Sequence, residues 1–299
     1  MIKVAWHPDY IAPLPEKHRF PMAKYDLIPS QLIHHGIIDS SQLFQPEIMS
    51  NQIILKVHDE TYLNDLETGS LNDRAVRKLG LPLTPLMVER EKRIMQGTLD
   101  NVLFALESKV SFNVAGGTHH SYRDSGEGFC LLNDIAIAAQ CLLEDKGLRS
   151  LVVDLDVHQG NGTAKIFENQ PDIFTFSMHG EKNYPLKKDH SDLDIGLPDN
   201  VNDKEYLKIL DRNLNEVLDR FQPDFIFFQS GVDPLASDKL GRLGLSKKGL
   251  LDRDQFVFSK CQINSIPLAV SMGGGYSPEI SDIVDAHCQT FEVAMNLFG

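Results

Sequence analysis

Short, mostly apolar runs alternate along this chain with longer stretches in which apolar residues return every three or four positions. The short runs fall at residues 2–5, 111–115, 151–155, 174–178, 225–229 and 268–271. A strand covered on both faces needs no polar alternation, so each run reads as a buried strand of a parallel sheet. The longer stretches, at 24–35, 86–106 and 206–221, read as helices with one apolar stripe. Met87, Ile94, Leu99, Val102 and Leu106 make the stripe of the second, and Leu207, Leu210, Leu214, Val217 and Leu218 that of the third. A further helix runs through Leu143, with Asn133 or Asp134 as its cap. Repeated alternation of strand and helix predicts an α/β fold: a mostly parallel sheet flanked by helices on both faces.

Composition narrows this picture. No Gly/Ser/Pro linker or shift in composition divides the 299 residues, so one domain spanning 1–299 is expected. A net charge of −13 argues against a nucleic-acid surface and suits a cationic substrate or peptide. The four cysteines (Cys130, Cys141, Cys261, Cys288) have no CxxC spacing, which points away from thiolate metal sites and disulfides and towards reducing cytoplasm. Neither a signal sequence nor an apolar stretch of membrane-spanning length is expected.

The strands end in chemistry. In LVVDLDVHQGNG, Asp154, Asp156 and His158 occupy alternate positions, so in an extended chain their side chains leave on one side and can converge on a cation. Gly160, Asn161 and Gly162 then read as a tight turn. The 111–115 run leads into Gly116, Gly117, Thr118, His119 and His120, the 225–229 run into Ser230, Gly231, Val232 and Asp233, and the last run into Met272 to Tyr276. Polar residues at the C-terminal ends of several parallel strands share one rim of the sheet and can meet there. Asp156, His158 and Asp233 form a set that suits a divalent ion, zinc first, with positions open for water and substrate. His119 and His120 are candidate bases, and the Tyr276 hydroxyl can serve a developing oxyanion. Singly, each residue has a plainer role: aspartates cap turns, a histidine pair is structural and Phe129 belongs to the core. His58, near Tyr62, is expected on a helix or loop surface, and Arg19 either on the surface or lining a channel.

Together GGTHH, GEGFC, DLDVHQGNG, FSMHG, SGVDP and MGGGY resemble the motifs of the histone deacetylase superfamily of zinc-dependent amidohydrolases, over nearly the whole chain. HPDY...HRFPMAKY and GGTHHSYRDSGEGFC are most similar to the class IV deacetylases and their bacterial relatives. The resemblance implies a single arginase/deacetylase-like domain with a sheet of about eight strands. By position it makes Asp156, His158 and Asp233 similar to the ligands of one zinc ion per chain. His119 and His120 correspond to the catalytic histidine pair and Tyr276 to the transition-state tyrosine. Gly128 and Phe129, with Gly274 and Gly275, correspond to walls of a narrow tunnel for the lysine stem. Asp154 would bond the first histidine and help hold a potassium ion, with backbone oxygens of Asp156, His158, Ser177 and Met178. Asn161 stands where many relatives have an aspartate orienting the second histidine. Gly160 and Gly231 stand where a second metal would need ligands. The activity implied is removal of acetyl or longer acyl groups from the lysine ε-amine of proteins or peptides. Acetylpolyamine or another small amide is the rival substrate. An acyl-lysine binding module without turnover is the non-enzymatic rival, and it would need neither Tyr276 nor the two histidines.

Overall fold

Eight strands join in one sheet: β1 (Lys3–Ala5), β2 (Leu43–Phe44), β3 (Val110–Asn113), β4 (Ser150–Asp154), β5 (Ile173–Gly180), β6 (Leu193–Leu197), β7 (Phe225–Gln229) and β8 (Leu268–Ser271). The computed structural model covers residues 1–299. The strand order is β2-β1-β3-β8-β7-β4-β5-β6 and every pairing is parallel. β3, β4, β5, β7 and β8 are buried at every residue, so both faces of the sheet are covered, as their apolar character requires. Ten α-helices supply the cover.

The helix Pro85–Ser108 begins where the Thr84 hydroxyl accepts from the Met87 amide, and Pro85 takes the first position, where no donor is needed. Met87, Ile94 and Val102 of its stripe are buried, and Leu99 and Leu106 pack at the edge of the core. It lies against β1, β3, β8 and the helix Asp134–Lys146. Asn133 caps that second helix through its bond to the Ala136 amide. Asp203–Phe221 is capped by Asn202. One contiguous core of 80 buried residues extends from Ile2 to Ala294, so no part of the chain has a core of its own. No helix is long and apolar enough to cross a membrane.

Three expectations are corrected. β4 stops at Asp154, so strand alternation does not bring Asp156 and His158 together. Instead Asp154 accepts from the amide of Asp156 (3.2 Å) and Asp156 from that of His158 (3.0 Å), and these two successive turns draw the chain out of the extended form. Residues 161–162 are not a separate turn: they open the helix Asn161–Phe167, with Gly160 as its cap.

His58 is the third correction. It is 2% exposed rather than on the surface, and its Nε2 accepts from the Asn133 amide at 3.0 Å, beneath the start of a core helix. Burial lowers its pKa from 6.5 to about 4. Between those values the unfolded chain binds a proton that the folded chain does not, so stability is complete above pH 6.5 and falls as the pH drops towards 4. Urea unfolding at pH 7 and at pH 4.5 should show a loss greater by roughly 2 to 3 kcal/mol in the parent than in His58→Gln. Equal losses would remove His58 as the cause.

Candidate active site

The strands that end in candidate residues stand side by side as β3-β8-β7-β4. At their C-terminal ends Asn113, Ser271, Gln229 and Asp154 are in register, and Ser177 of β5 continues the row. This polar row supports the loops above it. Asp154 Oδ2 lies 2.7 Å from His119 Nδ1, and the Gln229 amide 2.9 Å from the same nitrogen.

Above the row, Asp156, His158 and Asp233 each bring one ligand atom within 4.8 Å of the others, and all three are buried. His158 Nδ1 is 3.1 Å from Asp156 Oδ1 and 3.1 Å from Asp233 Oδ2. The outer oxygens are satisfied by backbone: Asp233 Oδ1 accepts from Val157 and Asp156 Oδ2 from Gly274, each at 2.8 Å. Burial pushes Asp233 up to about 7, with the Asp156 charge adding to it. Burial alone would lower His158, yet its hydrogen bonds to the two aspartates prevail and carry it to about 10. Two buried carboxylates thus draw positive charge to one point, and the donor set fits a divalent ion. A side chain at Gly274 would run into both carboxylates, so glycine keeps that point clear.

The histidine pair is asymmetric. Burial acts against protonation of His119, but the charge and hydrogen bond of Asp154 outweigh it and raise its pKa above the ordinary value. His120 is held well below the ordinary value by burial and by repulsion from His119 and His158. Its Nδ1 faces Asn161 Oδ1 at 2.6 Å, a neutral partner that restores little of the loss. Tyr276 keeps its phenolic proton, because burial and then the charges of Asp156 and Asp233 raise it far above the usual range. Its backbone is fixed by Asp238, which accepts from the Tyr276 amide at 2.6 Å.

A cavity of about 350 Å³ opens onto His120 and His158 between Gly128, Phe129 and Tyr276. Phe129 (φ +70°) stands edge-on to Phe20, with ring centroids 5.2 Å apart, and 5.9 Å from the Tyr276 ring. Arg19 is exposed at the mouth with its guanidinium 5.0 Å over Phe129, which joins the two places open to it, surface and channel rim. Past the cluster of Asp156, His158 and Asp233 a smaller pocket of about 40 Å³ reaches Arg90, Glu91 and Ile94. Gly274 lines this deeper pocket, and Gly275 packs beneath it against Val232 and Ile283.

The histone deacetylase domain model matches residues 18–291. The chain belongs to the histone deacetylase family. A protein of Picosynechococcus sp., described as uncharacterized, is 42% identical over 297 residues, 99% of either chain. Histone deacetylase 2 of Arabidopsis thaliana is 27% identical over 277 residues, covering 89% of this chain and 72% of its own. The crystal structure of a histone deacetylase homolog complexed with SAHA superposes with a TM-score of 0.86 at 25% identity, over 98% of this chain and 84% of that one. A homolog from Aquifex aeolicus has the same fold, with a TM-score of 0.84 at 24% identity over the same shares.

Within this deacetylase-family site several supporting residues have no local sequence signal. Arg253, fully buried on the helix Lys247–Ile263, donates to the Gly231 carbonyl at 2.6 Å and steadies the loop that carries Asp233. Lys24 Nζ donates to the Gly273 carbonyl at 2.8 Å, beneath the glycine run that carries Tyr276. Asp134, one of two candidate caps, leaves capping to Asn133. Its carboxylate accepts from the amides of Gly117 and Thr118 and from the hydroxyls of Thr98, Thr118 and Ser271. Gly117 allows this tight loop with φ +73° and with Gly273 so near that a Cβ would lie 2.8 Å from its Cα. Replacing Asp134 by Asn turns an NH2 donor towards groups that themselves donate, so Asp134→Asn should lower stability by about 3 kcal/mol, read from the denaturant midpoint. A parental midpoint would show that the loop holds itself.

Proposed function

We propose that this protein is a zinc-dependent amidohydrolase that removes short acyl groups from the ε-amine of lysine in peptides or proteins. The observation that carries this is a channel walled by Phe129 and Tyr276 that ends on the buried cluster of Asp156, His158 and Asp233, with His120 beside it. Aromatic faces suit the four-carbon stem of a lysine, and the small pocket beyond suits an acetyl group better than a long acyl chain.

Asp156, His158 and Asp233 would hold the zinc, which when bound polarises the amide carbonyl and makes water more acidic. His120, neutral, accepts the proton of the attacking water and returns it to the leaving amine. His119, drawn towards the cationic form by Asp154, stabilises the charge that develops beside it. Tyr276 donates its O–H to the oxyanion on the former carbonyl carbon. Phe129 and Phe20 keep water from the stem. In the same reading Asp154 and the backbone oxygens of Asp156, His158, Ser177 and Met178 would hold a potassium ion.

Arg19 at the mouth opposes a polycation, so an acetylated polyamine fits less well than a lysine within a peptide, despite the net charge of −13. A pure acyl-lysine reader would have no use for a protonated Tyr276 and a neutral His120.

With zinc present, Tyr276→Phe should keep the metal and lose kcat by on the order of a hundredfold, whereas Asp233→Ala should lose the metal itself, read by elemental analysis. Normal turnover by Tyr276→Phe would remove the tyrosine from the mechanism. Across a panel of acylated peptides and polyamines, acetyl-lysine peptide should exceed octanoyl-lysine peptide by about tenfold or more in kcat/KM and should also exceed acetylputrescine. The reverse order would assign the deep pocket to another purpose.

A further inference from the structure

We propose that Glu127 is a positioning residue: through the amide of Asn161 it fixes which nitrogen of His120 carries the proton. What His120 then does rests on the deacylase reading above. The positioning itself rests on hydrogen bonds. Asn161 presents Oδ1 to His120 Nδ1 at 2.6 Å, which requires the imidazole proton on Nδ1 and leaves Nε2 as the basic nitrogen. A flipped amide would present N–H instead, force the proton onto Nε2 and leave no base. An aspartate offers the same oxygens either way round, so the choice arises only because this position is Asn161.

The far end of the amide makes the choice. Asn161 Nδ2 donates to Glu127 Oε1 at 2.8 Å and to the Tyr122 hydroxyl oxygen at 2.6 Å. A carboxylate only accepts. Tyr122 has already given its proton to Asp189 Oδ2 at 2.6 Å, so towards Asn161 it too can only accept. Flipping the amide would set its oxygen against both, inside a site where Asn161 is 1% and Glu127 3% exposed. Lys78, half exposed at the mouth, pairs with the other Glu127 oxygen. Asp189 is fixed in turn, since Gln159 bonds both its amide and its carbonyl. Glu127 also polarises the amide, making Oδ1 a stronger acceptor for His120.

The test combines 15N-histidine spectra of the zinc-loaded full chain, assigned with His120→Gln, and kinetics on an acetyl-lysine peptide. The parent should show His120 protonated on Nδ1. Glu127→Gln can turn either its oxygen or its NH2 to Asn161, so it should populate both tautomers and lose less of kcat than the next variant. Glu127→Met should lose kcat by about tenfold to a hundredfold at unchanged KM and shift His120 towards the Nε2–H form. Asn161→Asp alone sets two buried carboxylates together and should lose activity. Adding Glu127→Gln, whose amide can donate to the introduced carboxylate, should restore it, a rescue that damaged packing would not give. An unchanged tautomer in Glu127→Met, or no rescue in the pair, overturns the proposal. The pair decides the matter if Glu127→Met fails to fold. A tautomer that follows Glu127 in a protein that hydrolyses no acyl amide would uphold the positioning and sink the deacylase reading.

Discussion

Two carboxylates buried at the end of a parallel sheet are the constraint on which this structure turns. Asp156 and Asp233 are almost without solvent, and ionised groups in that setting need opposite charge and donors at close range. Backbone amides of Val157, His158 and Gly274 supply the donors, so the loops after β4 and β8 are shaped around the carboxylates. His158 supplies one partner. Further positive charge at that point is what the arrangement favours, and the donor set suits a divalent ion.

Holding such a cluster requires a rigid surround, and much of it is made of buried polar residues that take no direct part in the chemistry. Asp134 gathers the loop before the histidines, Arg253 the loop of Asp233, Lys24 and Asp238 the segment of Tyr276. Each holds backbone atoms, and Asp134 three hydroxyls as well. That division is economical: carbonyls and amides cannot change with sequence, so an anchor on them fixes a loop whatever side chains it carries. It also explains why four loops of unrelated sequence meet within a few ångströms above a row of polar residues in register.

How much of this was legible depended on whether a residue's role was local. β7 and β8 coincide with the apolar runs that predict them, because central parallel strands are apolar throughout. β2 has two residues and β6 is a half-buried edge strand with alternating polarity, and neither has the character of a covered strand. The helix Lys247–Ile263 carries buried polar residues, Arg253 and Asp254, which interrupt any simple stripe. At the site the aspartates, histidines and tyrosine stand out because their motifs are compact. Glu127 and Arg253 gain meaning only from residues 34 and 22 positions away, and His58 lies under a helix start 75 positions later.

Asn161 shows how a departure from a family pattern can be absorbed. The two imidazoles are neighbours, with ring centroids 4.1 Å apart, so both cannot readily be cationic. A carboxylate behind each would pull both towards protonation. Here the carboxylate behind His119 is in direct contact, and the one behind Asn161 is a full amide away from His120, at Glu127. Distance and the intervening amide weaken its pull on the proton while preserving its control of direction. The pair is thereby split into one imidazole drawn towards protonation and one held away from it, with the second oriented through Asn161.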